Sequence, residues 1–245
     1  MSSLKLRLIL WIGCFVTLSL VPVRMNAQEK TNVYFLAGQG ADHRLFDSIQ
    51  LDSGFVMKHI KYTIPKRGMR MKDYASALIN QIDTTNKFFL VGTSLGGMLA
   101  AEMAELVSPE KVVIISSAKI RKELPFRYRF QKYIPVFELI PRFIIKGGAL
   151  VLQPIVEPDS KNNRPTFKAM MKDKDSRFLK RTIRMIVNWD RKNLNTEIVH
   201  IHGDSDKTIP IRNVVFDHRI VNGSHMMTLT RFEQINQILN EELLK

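Results

Sequence analysis

The sequence predicts an α/β fold, a mostly parallel sheet of about six strands with helices on both faces and one helical insertion. Three observations carry this. Short β-rich apolar runs alternate with segments of helical period, the runs are apolar almost throughout rather than at every second residue, and the alternation fails only once, between Ser117 and Asn195. Strands that are apolar on both faces belong in a parallel sheet, because crossover helices cover each strand from two sides.

The first 27 residues are set apart from the fold. Lys5 and Arg7 form a basic start, Leu8 to Val21 is apolar and uncharged, and Pro22 precedes Met25-Asn26-Ala27, a small residue standing just before Gln28. This is the layout of a secretory signal peptide, and it predicts export to a periplasm or beyond the cell. The alternative is an uncleaved membrane anchor over residues 8–23, since Met25 is large for its place before the cut. The single cysteine, Cys14, lies in this segment, within a Trp11-Ile12-Gly13-Cys14 run that is a poor lipoprotein box. From Gln28 onward no thiol is available for a disulfide or a metal.

Val33 to Ala37, Phe55 to Ile60, Lys87 to Val91, Val112 to Ile115, Ile198 to His202 and Arg219 to Val221 are predicted as strands. Met71 to Ile82, Leu95 to Val107, Ile211 to Phe216 and Met226 to Leu244 are predicted as helices. The core therefore spans 28–118 and 196–245, and residues 119–195 form a helical cap inserted between two strands.

The formal charge of +14 raises the question of nucleic acid. Lys119 to Lys192 holds 19 Lys and Arg against 7 Asp and Glu, whereas the rest of the chain from Gln28 holds 15 against 16. The excess is confined to the insertion, where Phe126, Tyr128, Phe130, Tyr133, Phe137, Phe143, Ile144 and Ile145 are threaded through it. A surface tracking a nucleic-acid backbone is not indicated. An amphipathic lid meeting an anionic membrane surface or an acidic ligand is one reading, and a solvated basic face is the other.

Gly92-Thr93-Ser94-Leu95-Gly96 directly follows one strand and opens a helix. A serine hydroxyl becomes an effective nucleophile when held at a sharp strand-to-helix turn, where flanking glycines give the backbone room and the helix N-terminus faces developing negative charge. The alternative role for Ser94 is a plain helix cap. On this motif and its strand-helix context the chain resembles the α/β-hydrolase superfamily, and the resemblance covers nearly everything after the leader. It implies a serine hydrolase of the esterase, lipase or thioesterase kind that needs no cofactor and no metal, acting on a small-molecule ester or acyl substrate.

Other sites follow from the resemblance. Gly38-Gln39-Gly40 stands after the first strand where the family carries an oxyanion loop, with Ala37 in place of its usual histidine. The implied oxyanion donors are the backbone N–H groups of Gln39 and Leu95. The family order of nucleophile, acid and base places the acid in His202-Gly203-Asp204-Ser205-Asp206-Lys207-Thr208-Ile209-Pro210 and the base in Asn222-Gly223-Ser224-His225. Asp206 matches the acid position, Asp204 is the alternative, and His225 is the one histidine on a loop after the acid. His200 and His202 share one face of their strand, a conceivable metal pair with no third ligand. His218 is expected to pack or face solvent, and His43 to start a helix or border the substrate. A serine at the elbow argues against the superfamily branches that use a carboxylate nucleophile. A non-catalytic binding protein on the same scaffold is the competing function, and a complete Ser, Asp, His set weighs against it.

Overall fold

The computed structural model describes residues 30–141, 144–145, 147–148 and 163–245. The signal segment 1–27, its reading as an anchor over 8–23, and Phe143 lie outside the described residues. Six strands, β1 (Thr31–Leu36), β2 (Phe55–His59), β3 (Phe88–Thr93), β4 (Lys111–Ile115), β5 (Ile198–Gly203) and β6 (His218–Ile220), form one sheet in the order β2-β1-β3-β4-β5-β6. Every neighbouring pair is parallel.

The strands alternate between two buried faces, as their apolar runs require. Tyr34, Leu36, Leu90, Val112 and Ile114 join one core, with α1 (Met71–Leu78) and α2 (Leu95–Met103). Val33, Phe35, Val91, Val113, Ile115 and Ile201 join the other, with α8 (Phe232–Leu244). α1 buries Met71, Tyr74, Ala75 and Leu78, the i, i+3, i+4, i+7 stripe of a surface helix. α2 is buried at all nine positions, which explains its lack of a polar face.

Between β4 and β5 run α3 (Phe126–Phe130), α4 (Val136–Leu139), α5 (Arg164–Asp173) and α6 (Ser176–Val187). Polar contacts, one of them buried, tie this segment to the core. The Trp189 indole N–H donates to Glu102 Oε1 at 2.8 Å, and the Arg191 guanidinium donates to Glu105 Oε1 at 2.7 Å. α7 (Met227–Thr230) and α8 then close the chain.

Two helix expectations need correction. Ile211 to Phe216 is no α-helix: only Ile211–Asn213 turns, as a 3-10 helix after Pro210. The following backbone is claimed elsewhere, because Val215 N–H donates to the Glu123 carboxylate at 3.1 Å and Asp217 N–H to His200 O at 2.9 Å. The expected helix from Met226 to Leu244 is two helices meeting at Arg231 (φ −131°, ψ 29°). The Asn163 amide donates to Leu229 O at 3.0 Å, occupying a carbonyl that a continuous helix would offer to residue 233. Two more helices end early: α1 passes into a 3-10 turn at Ile79–Gln81, and α2 stops at Met103.

The strand order reverses between β1 and β3, since β1 leads out to β2 on one side while the chain resumes at β3 on the other. Open α/β sheets place their sites outside the carboxyl ends of the strands at such a switch. Gly38-Gln39 follows β1 and Ser94 follows β3 at that point.

Candidate active site

Ser94 has φ 53° and ψ −119°, a conformation that an L-residue adopts only when its surroundings impose it. The glycines around it are required by close approach. A Cβ on Gly92 would stand 2.3 Å from Gly96 O, and one on Gly96 would stand 2.0 Å from Leu36 O. The turn is pinned through its backbone, with Ser94 N–H donating to Ile115 O at 3.0 Å and the Ser117 hydroxyl to Ser94 O at 2.6 Å. Its side chain makes no capping bond to α2, so the hydroxyl is left for other partners.

That partner is His225. The Ser94 hydroxyl donates to His225 Nε2 at 2.8 Å, and His225 Nδ1 donates to Asp206 Oδ2 at 2.8 Å. Asp206 is buried, and its other oxygen accepts from the N–H groups of Thr208 and Ile209, each at 2.8 Å. These bonds aim the carboxylate at the imidazole. Asp204 turns the other way. Arg219 grips its Oδ2 at 2.8 and 3.1 Å while Asn222 N–H donates to its Oδ1 at 2.8 Å, and the guanidinium holds its pKa below the ordinary carboxylate value.

His202 lies behind the acid, with Nε2 3.6 Å from Asp206 Oδ2 and donating to Ile209 O at 2.8 Å. His200 Nε2 and His202 Nδ1 share a hydrogen bond at 2.9 Å, and His200 Nδ1 stands 3.1 Å from Val215 O. Burial lowers both imidazole pKa values, that of His200 well below its ordinary value. Each of the four ring nitrogens thus has a partner within the protein, an arrangement of structural imidazoles. Among the described residues no three metal-ligating side chains cluster.

Gln39 lines the cavity at Ser94 and Leu95 follows Ser94 at the start of α2, and among the described residues no hydrogen-bond acceptor occupies the backbone N–H of either. The Gln39 side chain has a task the sequence did not reveal. Its amide donates to Leu179 O at 2.9 Å and to the Thr182 hydroxyl at 2.8 Å, so α6 of the insertion grips the loop that follows β1. From the other side the Tyr62 hydroxyl donates to Ala37 O at 2.8 Å, and burial pushes its pKa well up.

A cavity of about 330 Å³ opens on Ser94 and His225. Leu124, Tyr128, Phe167, Met171 and Ile186 come to its wall from the insertion, and none of the described lining residues carries a carboxylate, guanidinium or ammonium group. Burial raises the Tyr128 phenol pKa. Of these residues only Tyr128 stands out in the sequence, and nothing there shows which side chains reach Ser94, because that depends on how short helices stack. His43 starts the 3-10 helix His43–Phe46 behind the Asp42 cap and does not line this cavity. His218 is half-buried, its Nε2 donating to Glu242 Oε1 at 3.0 Å.

No protein-family model and no curated protein matches the sequence. Solved structures do. An esterase from Exiguobacterium antarcticum is 17% identical with a TM-score of 0.65, over 89% of this chain and 93% of its own. An enol-lactonase from Burkholderia xenovorans LB400 is 13% identical with a TM-score of 0.66, over 89% and 92%. A thermophilic esterase from Thermogutta terrifontis is 16% identical with a TM-score of 0.63, over 88% and 90%. At such identities the likeness is one of fold. The six-stranded parallel sheet with helices on both faces is the α/β-hydrolase fold.

Proposed function

We propose that the chain is a serine hydrolase that cleaves a carboxylic ester or thioester through an acyl-enzyme. The single observation that supports it most is the run of two 2.8 Å contacts from Ser94 Oγ through His225 to Asp206, at a backbone turn held in a strained conformation. In this reading Ser94 Oγ attacks the carbonyl carbon while His225 Nε2 takes its proton. The carbonyl oxygen becomes an oxyanion between the N–H groups of Gln39 and Leu95. Collapse expels the alcohol or thiol, which leaves with the proton from His225, and water repeats the sequence to release the acid. Asp206 keeps the His225 N–H on Nδ1, so that Nε2 presents its lone pair to the serine. The residues alone complete this cycle.

The cavity fits an uncharged acyl group of short to medium length, since its described walls are mostly apolar and carry no carboxylate, guanidinium or ammonium group. The esterase and lactonase activities named for the structural neighbours agree with this class. Residues 119–195 serve as its cap, and the leader at 1–27 directs the chain to export. A panel of p-nitrophenyl esters of increasing chain length tests the proposal. Hydrolysis of the short and medium members that disappears in Ser94→Ala is the expected outcome. Absence of turnover with every ester, or turnover surviving in the variant, would overturn it.

A second reading concerns the outside of the cap. Phe126, Tyr133 and Leu139 are 69, 79 and 83% exposed on a stretch that also carries Arg127, Arg129 and Lys132. Apolar side chains left in water beside cations suit an anionic membrane surface. Ser94→Ala protein should therefore partition to anionic vesicles and leave them as salt rises. Equal partitioning to neutral vesicles at both salts would contradict this.

A further inference from the structure

α6 has two faces of opposite character. Phe178, Leu179, Thr182, Met185 and Ile186 are buried, while Arg177, Lys180, Arg181 and Arg184 recur at the i, i+3, i+4, i+7 spacing of a single stripe. Like charges at these spacings repel and weaken a helix, so such a stripe calls for anions opposite it. The stripe lines a groove of about 340 Å³ together with Arg67, from the loop before α1, and Glu138, from α4. The groove shares no described residue with the cavity at Ser94.

The charges in the groove do not balance. Arg177 pairs with Asp175 at 2.7 Å and Arg184 with Glu138 at 2.6 Å. Lys180 is held in place by the carbonyls of Glu138 and Ile140, at 2.8 and 3.0 Å, and Arg181 by that of Pro65 at 2.7 Å. These contacts orient the cations without neutralising them. Arg67 has no hydrogen bond or ion pair among the described residues. Three cations thus converge without a carboxylate partner, and four of the five cations in the groove are arginines, whose planar forks match phosphate oxygens.

We propose that this groove binds a phosphate-bearing anion of charge −2 or more, through Arg67, Lys180 and Arg181 with Arg177 and Arg184 at its sides. The site is separate from the hydrolytic centre and does not depend on that assignment. Its ligand chemistry is shared by a free phosphorylated molecule and by a phosphomonoester lipid headgroup.

The test measures binding by the Ser94→Ala full chain, which removes turnover from the readout. Pyrophosphate is titrated calorimetrically at low and high salt, and vesicles of phosphatidylcholine are compared with vesicles that also contain phosphatidic acid. Each is repeated with Arg67→Gln/Arg177→Gln in the groove and with Lys30→Gln/Lys87→Gln, two exposed lysines just ahead of β1 and β3 at the opposite edge of the sheet. Equal thermal unfolding of the variants establishes that they fold. The expected result is saturable binding to pyrophosphate, or to the phosphatidic acid vesicles alone if the source is a membrane. Either should be weakened about tenfold or more by the groove pair and less than about twofold by the control pair. Failure of both ligands to bind at low salt, or equal weakening by the two pairs, would overturn the proposal.

Discussion

Ser94 and Gln39 face the same cavity from different kinds of support. Ser94 is fixed by the sheet itself, through a backbone bond to β4, glycine contacts that admit no Cβ, and the Ser117 hydroxyl. Gln39 is held through its side chain by α6, a helix of the insertion. The Ser94 turn is therefore held by the core alone, whereas the Gln39 side chain is held by the insertion. A change in α6 can thus reach the cavity wall at Gln39 without touching the contacts that hold the Ser94 turn.

The largest effect is expected at the acid. Asp206→Asn should cut kcat by about 10⁴-fold, because an amide in place of the carboxylate lets His225 take the wrong tautomer. Asp204→Asn should leave kcat within about threefold and act through its bond to Arg219 instead. Steady-state kinetics on one ester decide it, and a larger loss from Asp204→Asn would remove Asp206 from the mechanism.

On the insertion side, Gln39→Ala keeps the backbone N–H and removes only the grip of α6. With two hydrogen bonds lost, kcat should fall about tenfold while KM changes less than about threefold. A loss confined to KM would show that the grip shapes the substrate pocket and not the oxyanion contact.

The smallest effect is on stability, on the sheet side. His200 and His202 are buried, and burial holds both pKa values below the ordinary 6.5. Below pH 6.5 the unfolded chain binds protons that the folded chain refuses, so stability should fall as the pH drops from 6.5 toward the folded values. Denaturant melts of the wild type and of His200→Gln between pH 7.5 and pH 5 would check this, with a shallower decline expected in the variant. An equal decline would assign the acid sensitivity to other groups.

The same division governs what the sequence reveals. Ser94, Asp206 and His225 were legible because each follows a strand with a turn signature, and local chemistry fixes where such residues point. Asp204 and Asp206 were separated by family pattern alone, and the structure adds the cause, an Arg219 that draws Asp204 away. The grip on Gln39, the reach of Tyr128 to the cavity and the break at Arg231 were not legible, since each depends on a partner 66 to 143 residues away or on the stacking of short helices. The charge of the insertion was plain from composition. Its gathering into one groove required knowing which face of α6 is buried.

Whether Ser94 is the nucleophile can be read with a fluorophosphonate probe. After incubation with the full chain, intact-mass spectrometry should show one adduct per molecule, and peptide mapping should place it on Ser94. Ser94→Ala should remain unlabelled, and Asp206→Asn should label far more slowly. A wild-type chain that stays unlabelled while hydrolysing esters, or an adduct on any residue other than Ser94, would contradict the account.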